Sequence, residues 1–360
     1  MKKNTYYNFS AGPATLPLTV LQQAQAEMLN WHDTGFSIME IGHRTELFQQ
    51  LLTEIKNDLR QLVNIPSHYH VLFFAGGANT QFSAVPMNLL GDKQHADYFN
   101  TGVWSVLAMQ EAKKYCQVND VTTAVPNACY AIPDKTTWQF DPRAAYVHYT
   151  SNETITGVQF HQIPDVGSVP LVADMTSCFL SQPIDISQFG LIYAAAQKNF
   201  GQAGVTLIIV RDDVLSQALA ITPATLDYQL QIKNNSCLNT PPTYAIYILG
   251  LMLQWLKQQG GLSAMEKINR RKAAKLYAAI DASDFYHNQV NPTDRSIMNV
   301  TFTLPDENLT KQFLHIAQQA GLYQLRGHKK LGGIRASIYN AMPEAGVDTL
   351  LAVMKNFERS

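Results

Sequence analysis

Charge is scarce and balanced in this chain. Lys and Arg number 27 and Asp and Glu 28, together 15% of the residues, for a formal net charge of −1. Nucleic acid and anionic membranes call for clustered positive charge, so neither is expected as a partner and any anion handling must be local. Cysteine is also sparse: Cys116, Cys129, Cys178 and Cys237 are widely spaced with no CxxC pair. That pattern argues against a disulfide framework and against a zinc site, and favours reduced cytosolic thiols. Long hydrophobic runs are missing. The longest, residues 246–256, is interrupted by Gly250 and Gln254 and falls short of the roughly 20 residues that span a bilayer, so it reads as a buried helix. Residues 1–10 hold Asn4, Thr5 and Asn8 where an export signal needs an apolar stretch, and a cytoplasmic location is expected. Internal repeats and low-complexity tracts are absent too.

What is present is an ordinary globular composition, 46% hydrophobic over 360 residues, long enough for a large core and for two domains. Short β-rich runs at 71–75, 146–149, 171–175, 191–195 and 205–210 alternate with helical patterns such as 82–90 and 104–115. The alternation predicts an α/β fold, a mostly parallel sheet flanked by helices, with ligands collecting at strand ends. After residue 240 the texture changes. Pro241-Pro242 opens a long apolar helix, Gly260-Gly261 breaks it, and a charged amphipathic helix follows over 262–282. Strands at 297–304 and 333–339 and helices at 308–321 and 343–358 then predict a smaller α+β domain from about Gly260 onward.

The candidate chemistry centres on Ala194-Ala195-Ala196-Gln197-Lys198-Asn199-Phe200-Gly201. Small residues at a strand end leave room for a flat ligand, and a lysine amine partly desolvated among them becomes a nucleophile able to form an imine with a carbonyl. Alone, Lys198 reads better as a surface lysine. Asp174 ends the apolar run 170–173 and can point into the same cleft, where an aspartate would keep a pyridinium nitrogen protonated. Alone, it reads better as a helix cap or turn residue. Gly76-Gly77-Ala78-Asn79-Thr80-Gln81 lies between a strand and a helix; its backbone N–H groups suit an anion, and a plain tight turn suits it equally. Its spacing is neither a P-loop nor GxGxxG, which disfavours a nucleotide. Trp104 could stack on an aromatic ring, although core packing is the commoner use of tryptophan. Cations come from His43-Arg44 and from His328-Lys329-Lys330 with Arg335. Arginine forks onto a carboxylate, and histidine with arginine or lysine suits a phosphate, while each alone reads as solvated charge. His68 and His70 flank Tyr69 with no Cys or carboxylate nearby, so no metal is expected.

Taken together, Asn8-Phe9-Ser10-Ala11-Gly12-Pro13-Ala14, Gly42-His43-Arg44, 76–82, 101–105, Ser151-Asn152-Glu153-Thr154, 173–177, 193–204, 239–243 and 332–340 carry a resemblance that runs nearly end to end. In order and spacing they resemble the phosphoserine aminotransferases, a class V family of pyridoxal phosphate enzymes of fold type I. The resemblance implies a large cofactor-binding domain over 16–258 and a small domain built from 1–15 and 259–360. It implies Lys198 as the Schiff-base lysine and later the acid–base group at the substrate α-carbon. Trp104 would stack on the pyridine ring, Asp174 pair with its nitrogen and Thr154 contact its hydroxyl side. Ala78, Asn79 and Gln197 would hold the cofactor phosphate, with Asn239 and Thr240 reaching in from a second subunit of an obligatory homodimer. Arg335 would grip the α-carboxylate, and His43, Arg44 and His328 would take the substrate phosphate or the glutamate side chain. Two residues depart from the family pattern: Asn79 stands where many bacterial members carry arginine, and Lys329 stands where His-Arg is common, a point charge for a forked donor.

The implied reaction moves an amino group from L-glutamate to 3-phosphohydroxypyruvate, giving 2-oxoglutarate and O-phospho-L-serine, in two half-reactions through pyridoxamine phosphate. Some members also aminate the 4-phosphohydroxythreonine precursor on the route to pyridoxal phosphate. A cysteine desulfurase needs a mobile cysteine in a late loop, whereas the last one here is Cys237, before the connector helix. A pyridoxal-binding regulator without turnover would not need Arg335 and His43-Arg44 beside Lys198, and no DNA-binding appendage is present.

Overall fold

The computed structural model describes residues 6–122, 130–215 and 218–359; Cys129 and residues 1–5 lie outside the described residues. Its centre is a seven-stranded sheet: β1 (Tyr69–Gly76), β2 (His95–Tyr98), β3 (Gln117–Asp120), β4 (Val147–Thr150), β5 (Leu171–Asp174), β6 (Leu191–Ala195) and β7 (Gly204–Arg211), in the order β1-β7-β6-β5-β4-β2-β3. All neighbours are parallel except β7, which runs antiparallel to both β6 and β1. Only residues 196–203 join β6 to β7. A parallel return needs a crossover of roughly a dozen residues or more, so the chain can only double back.

Strand side chains alternate between two cores. From β1, Leu72 and Phe74 join one buried cluster and Val71 and Phe73 the other; β7 divides Ile208 and Val210 from Leu207 and Ile209 in the same way. The first cluster is covered by the helices Ala78–Leu89 and Val103–Ala112, the second by Glu46–Val63 and Thr243–Gln258. Glu46–Val63 was not anticipated, yet its apolar stripe is plain: Phe48, Leu51, Leu52, Ile55, Leu59 and Val63 are buried at helical spacing, Thr45 caps its start and Asn64 ends it in the left-handed region. Each such side chain taken out of water contributes roughly 1.5–3 kcal/mol.

Two strands escaped the sequence pattern because they carry polar residues. In β2 the buried Asp97 accepts from Asn119 Nδ2 of β3 at 2.8 Å and from the Asp141 N–H at 3.0 Å, so a charge sits where alternation demands an apolar residue. Beyond Gly260 the helix Gly261–Asp281 packs against Glu344–Phe357, and a two-stranded ladder pairs Asn299–Phe302 with Ile334–Ser337. The N-terminal Tyr7–Asn8 pairs with Leu322–Tyr323, tying the start of the chain to its last hundred or so residues. No helix among the described residues is long and apolar enough to cross a membrane.

Candidate active site

Strands β1, β6, β5, β4 and β2 run one way, so their C-terminal ends open along a single edge. Asp174 is the last residue of β5, and Lys198 lies three residues beyond β6. The helix Ala78–Leu89 starts right after β1, with Gly77 at its N-cap and no side chain capping it. These ends surround a cavity of about 330 Å³ lined by Ala78, Asn79, Trp104, Thr154, Asp174, Gln197 and Lys198, together with Gly77, Thr150, Asn152, Thr176 and Ser177. Seven sequence-nominated residues thus share one cavity.

Lys198 is half-buried. Its Nζ donates to Thr154 Oγ1 at 2.6 Å and lies 5.0 Å from the centre of the Trp104 ring. Burial is the main cause that brings its pKa down from 10.5 to about 8; Asp174 opposes the shift and Arg335 adds to it. Asp174 accepts from the Thr176 N–H at 2.9 Å. Burial pushes its carboxyl upward, against the pull of the Thr176 hydrogen bonds and of Lys198.

Glu153 shapes one wall of the site in a way that was not readable from the chain alone. It is fully buried, and its carboxylate accepts from the backbone N–H groups of Trp104 at 3.0 Å and Ser105 at 2.8 Å. An acid from the strand-end segment therefore caps the helix Val103–Ala112 across the fold, where the helix dipole favours a negative charge. The close approach requires glycine at position 102, since a Cβ there would lie 2.6 Å from Glu153 Cδ. Trp104 is fixed over Lys198 by this cap. The only sequence signal was a run of polar residues, Ser151-Asn152-Glu153-Thr154, following a buried strand, and all four are buried.

Arg335 and His328 line a neighbouring, smaller cavity of about 60 Å³. Arg335 forms no ion pair among the described residues. His328 is lowered by burial first and then by Arg335, Lys330 and Lys329, a cluster of one sign that suits an anion. The turn that presents it is pinched: a Cβ on Gly327 would fall 1.9 Å from the Gly332 carbonyl oxygen. Asn199, next to Lys198, accepts from the Asn340 N–H at 2.9 Å, and Asn269 Nδ2 donates to Asn340 Oδ1 at 2.7 Å. That buried chain of amides ties the Lys198 loop to the strand bearing Arg335.

Four nominated residues line neither of these cavities: His43, Arg44, Asn239 and Thr240. They gather elsewhere. Gln49 Nε2 donates to the His43 carbonyl at 2.8 Å and reaches Cys237 Sγ at 3.4 Å, and Asn239 and Thr240 follow, exposed. His70 Nε2 meets the Asp212 carboxylate, and no group of three or more His, Cys, Asp or Glu able to hold a metal occurs among the described residues.

The cavity fits pyridoxal phosphate by its own chemistry. Trp104 Nε1, Gln197 Oε1, Thr150 Oγ1 and Asn152 Oδ1 are buried polar atoms in its wall without hydrogen-bond partners, and such atoms are rare unless a ligand completes them. An uncapped helix start suits a phosphate, an indole suits an aromatic ring, and a carboxylate suits a ring nitrogen.

Comparison with known proteins agrees. The family model for class-V aminotransferases matches residues 6–350. Phosphoserine aminotransferase from Nitrosomonas europaea is 54% identical, with 98% of each chain covered. The enzyme of that name from Hahella chejuensis is 52% identical, covering 98% of this chain and 97% of its own. The crystal structure of PLP-bound phosphoserine aminotransferase from Trichomonas vaginalis superposes with a TM-score of 0.95 at 42% identity, over 98% of this chain and 100% of that one.

Proposed function

The chain belongs to the class-V aminotransferase family and, within it, to the phosphoserine aminotransferases; from that premise we propose that it moves the amino group of L-glutamate to 3-phosphohydroxypyruvate, forming O-phospho-L-serine and 2-oxoglutarate in serine biosynthesis. The observation that carries this reading is the convergence of Lys198, Asp174 and Trp104 on one cavity, with the cationic His328–Arg335 turn beside it. Pyridoxal 5'-phosphate, when bound, supplies a carbonyl that takes up the amino group and a ring that accepts the electron pair freed at the substrate α-carbon.

The chain's own residues do the rest. Lys198 Nζ takes the proton from the substrate α-carbon and returns one in the reverse sense, a task suited to an amine whose pKa is brought to about 8. Thr154 Oγ1 holds that amine over Trp104. Asp174, which lines the cavity, would pair with the ring nitrogen and keep its proton in place. The N–H groups of Ala78 and Asn79 and the Gln197 side chain would hold the cofactor phosphate, with Asn79 a neutral contact. Arg335 forks onto the α-carboxylate common to both substrates, and His328 with Lys329 takes the phosphate or the glutamate side chain.

A homodimer completes the site in this reading. His43, Arg44, Asn239 and Thr240 lie together away from the Lys198 cavity, which is the arrangement expected if they serve a second copy's site. The proposed division is a large domain over 16–258 and a small one from 1–15 and 259–360, supported by the pairing of Tyr7–Asn8 with Leu322–Tyr323. A cytoplasmic location accords with the proposed reaction. The discriminating experiment compares amino donors: O-phospho-L-serine should convert the bound cofactor to its amine form, and 2-oxoglutarate should reverse the change. L-serine serving equally well would refute the phosphate-binding roles.

A further inference from the structure

Beside Asp174, outside the residues that line the cavity, lies a line of buried groups with no part in the proposed mechanism. The parallel pairing of β5 and β6 sets Tyr193 directly beside Asp174, and the Tyr193 hydroxyl acts to lower the Asp174 pKa against the effect of burial. The same hydroxyl is 2.8 Å from His148 Nε2. His148 in turn stacks on Tyr98, with ring centroids 4.7 Å apart. Tyr193, Tyr98 and His148 are all buried, and the helix Ala78–Leu89 closes over them, with Phe82 edge-on to Tyr193.

Counting protons fixes the polarity of this line. Burial brings the His148 pKa down to about 3, so the imidazole is neutral and carries one proton. His148 Nδ1 has no partner. Placing the proton there would bury an orphan N–H, the rarest kind of unsatisfied group, whereas placing it on Nε2 lets it donate to the Tyr193 oxygen. The single Tyr193 proton is then free to turn toward Asp174, its neighbour across the β5–β6 register. A hydroxyl that can only donate favours a charged acceptor over a protonated one. The Thr176 N–H, 2.9 Å from Oδ1, adds a second donor of the same sense. The other charged groups that act on Asp174 and its neighbourhood are Lys198, of opposite sign, and Glu153, of like sign.

We propose that Tyr193, oriented by His148, is a positioning residue that holds Asp174 as a fixed, ionised acceptor for the ring nitrogen of the bound cofactor. This rests on the reading of the cavity as a pyridoxal phosphate site. It differs from a packing role because it acts on one atom of the cofactor.

The test measures cofactor affinity in the full-length apoprotein, for pyridoxal phosphate and for its 1-deaza analogue, in which the ring nitrogen is replaced by C–H. Tyr193→Phe should weaken the natural cofactor about tenfold, the worth of one charge-assisted hydrogen bond, and leave the analogue unchanged. His148→Gln keeps a donor near the Nε2 position and should bind the natural cofactor more tightly than His148→Leu, with no difference for the analogue. Equal weakening of both ligands by Tyr193→Phe, or of neither, overturns the proposal. If Tyr193→Phe binds nothing, the two His148 variants decide on the same criterion. A wild-type apoprotein that binds neither ligand would instead refute the cofactor site itself.

Discussion

Replacing Glu153 by glutamine tests whether the Trp104 face of the cavity is held by a buried charge. The carboxylate accepts two backbone N–H groups, at 3.0 and 2.8 Å, from the first turn of the helix Val103–Ala112. Hydrogen bonds to a charged group contribute roughly 1.5–3 kcal/mol each, and the helix dipole adds about 0.5 kcal/mol. Glutamine keeps one acceptor oxygen but turns its NH2 toward the other N–H, a loss of about 3 kcal/mol. Removing a buried charge returns about 1 kcal/mol, for a net cost of about 2 kcal/mol. For a chain of 360 residues that lowers the melting temperature by about 3 °C. Alanine orphans both N–H groups and should cost about twice as much. Thermal melts of the apoprotein give the order wild type, Gln, Ala, and the near-ultraviolet circular dichroism of the bound cofactor should change in the same order as Trp104 loosens. Gly102→Ala, whose Cβ would collide with Glu153 Cδ, should reproduce the effect without adding to it in the double variant. Alanine melting at or above glutamine would refute the capping role.

The same site has other measurable consequences. The Lys198 amine has a pKa of about 8 against 10.5 when exposed, so cofactor uptake by the apoprotein should rise with pH through about 8; an inflection near 10.5 would contradict the burial argument. Between those values the unfolded chain binds the extra proton, so this lysine makes apoprotein stability increase with pH. Arg335 lowers the Lys198 pKa, so Arg335→Gln should move the uptake inflection upward, and it should damage both half-reactions because both substrates carry an α-carboxylate. Steady-state and single-turnover assays separate the two, and damage confined to one half would refute the assignment. Lys272 is buried and donates to the carbonyls of Ile338, Tyr339 and Met342 at 2.9, 2.8 and 3.1 Å. Lys272→Met leaves the Ile338 and Met342 carbonyls unpaired, while the Tyr339 carbonyl keeps the Met342 N–H, and should cost about 3 kcal/mol in urea unfolding.

The parts of the fold legible in the sequence are those where one residue type does one job. β6 and β7 read as strands because residues 191–195 and 205–210 are runs of aliphatic residues and alanine broken only by Tyr193 and Thr206, all of them buried. β2 and β3 did not, because the Asp97–Asn119 bond puts polar side chains inside the sheet. The direction of β7 follows from the short Lys198 loop, a matter of chain length rather than of composition. In the site, Lys198, Asp174, Trp104 and the glycine turn sit at strand ends and carry local motifs. Glu153 acts on a helix that starts 50 residues earlier, and Tyr193 and His148 read as strand filler until the register sets them beside Asp174 and each other. The separation of His43, Arg44, Asn239 and Thr240 from the Lys198 cavity depends wholly on the path of the chain.

The most direct measurement is to load the protein with pyridoxal phosphate, reduce it with borohydride and locate the attached pyridoxyl group by peptide mass spectrometry. Burial also lowers Lys56 to about 8 and Lys272 to about 7, so a depressed pKa does not single out one lysine. Among the described residues, only Lys198 combines it with the cavity, the Trp104 ring and Asp174. The expected result is one pyridoxyl group per chain, on Lys198, and none in Lys198→Ala. A label on Lys56 or Lys272, or an undiminished label in Lys198→Ala, would contradict the assignment of Lys198 as the cofactor-binding lysine.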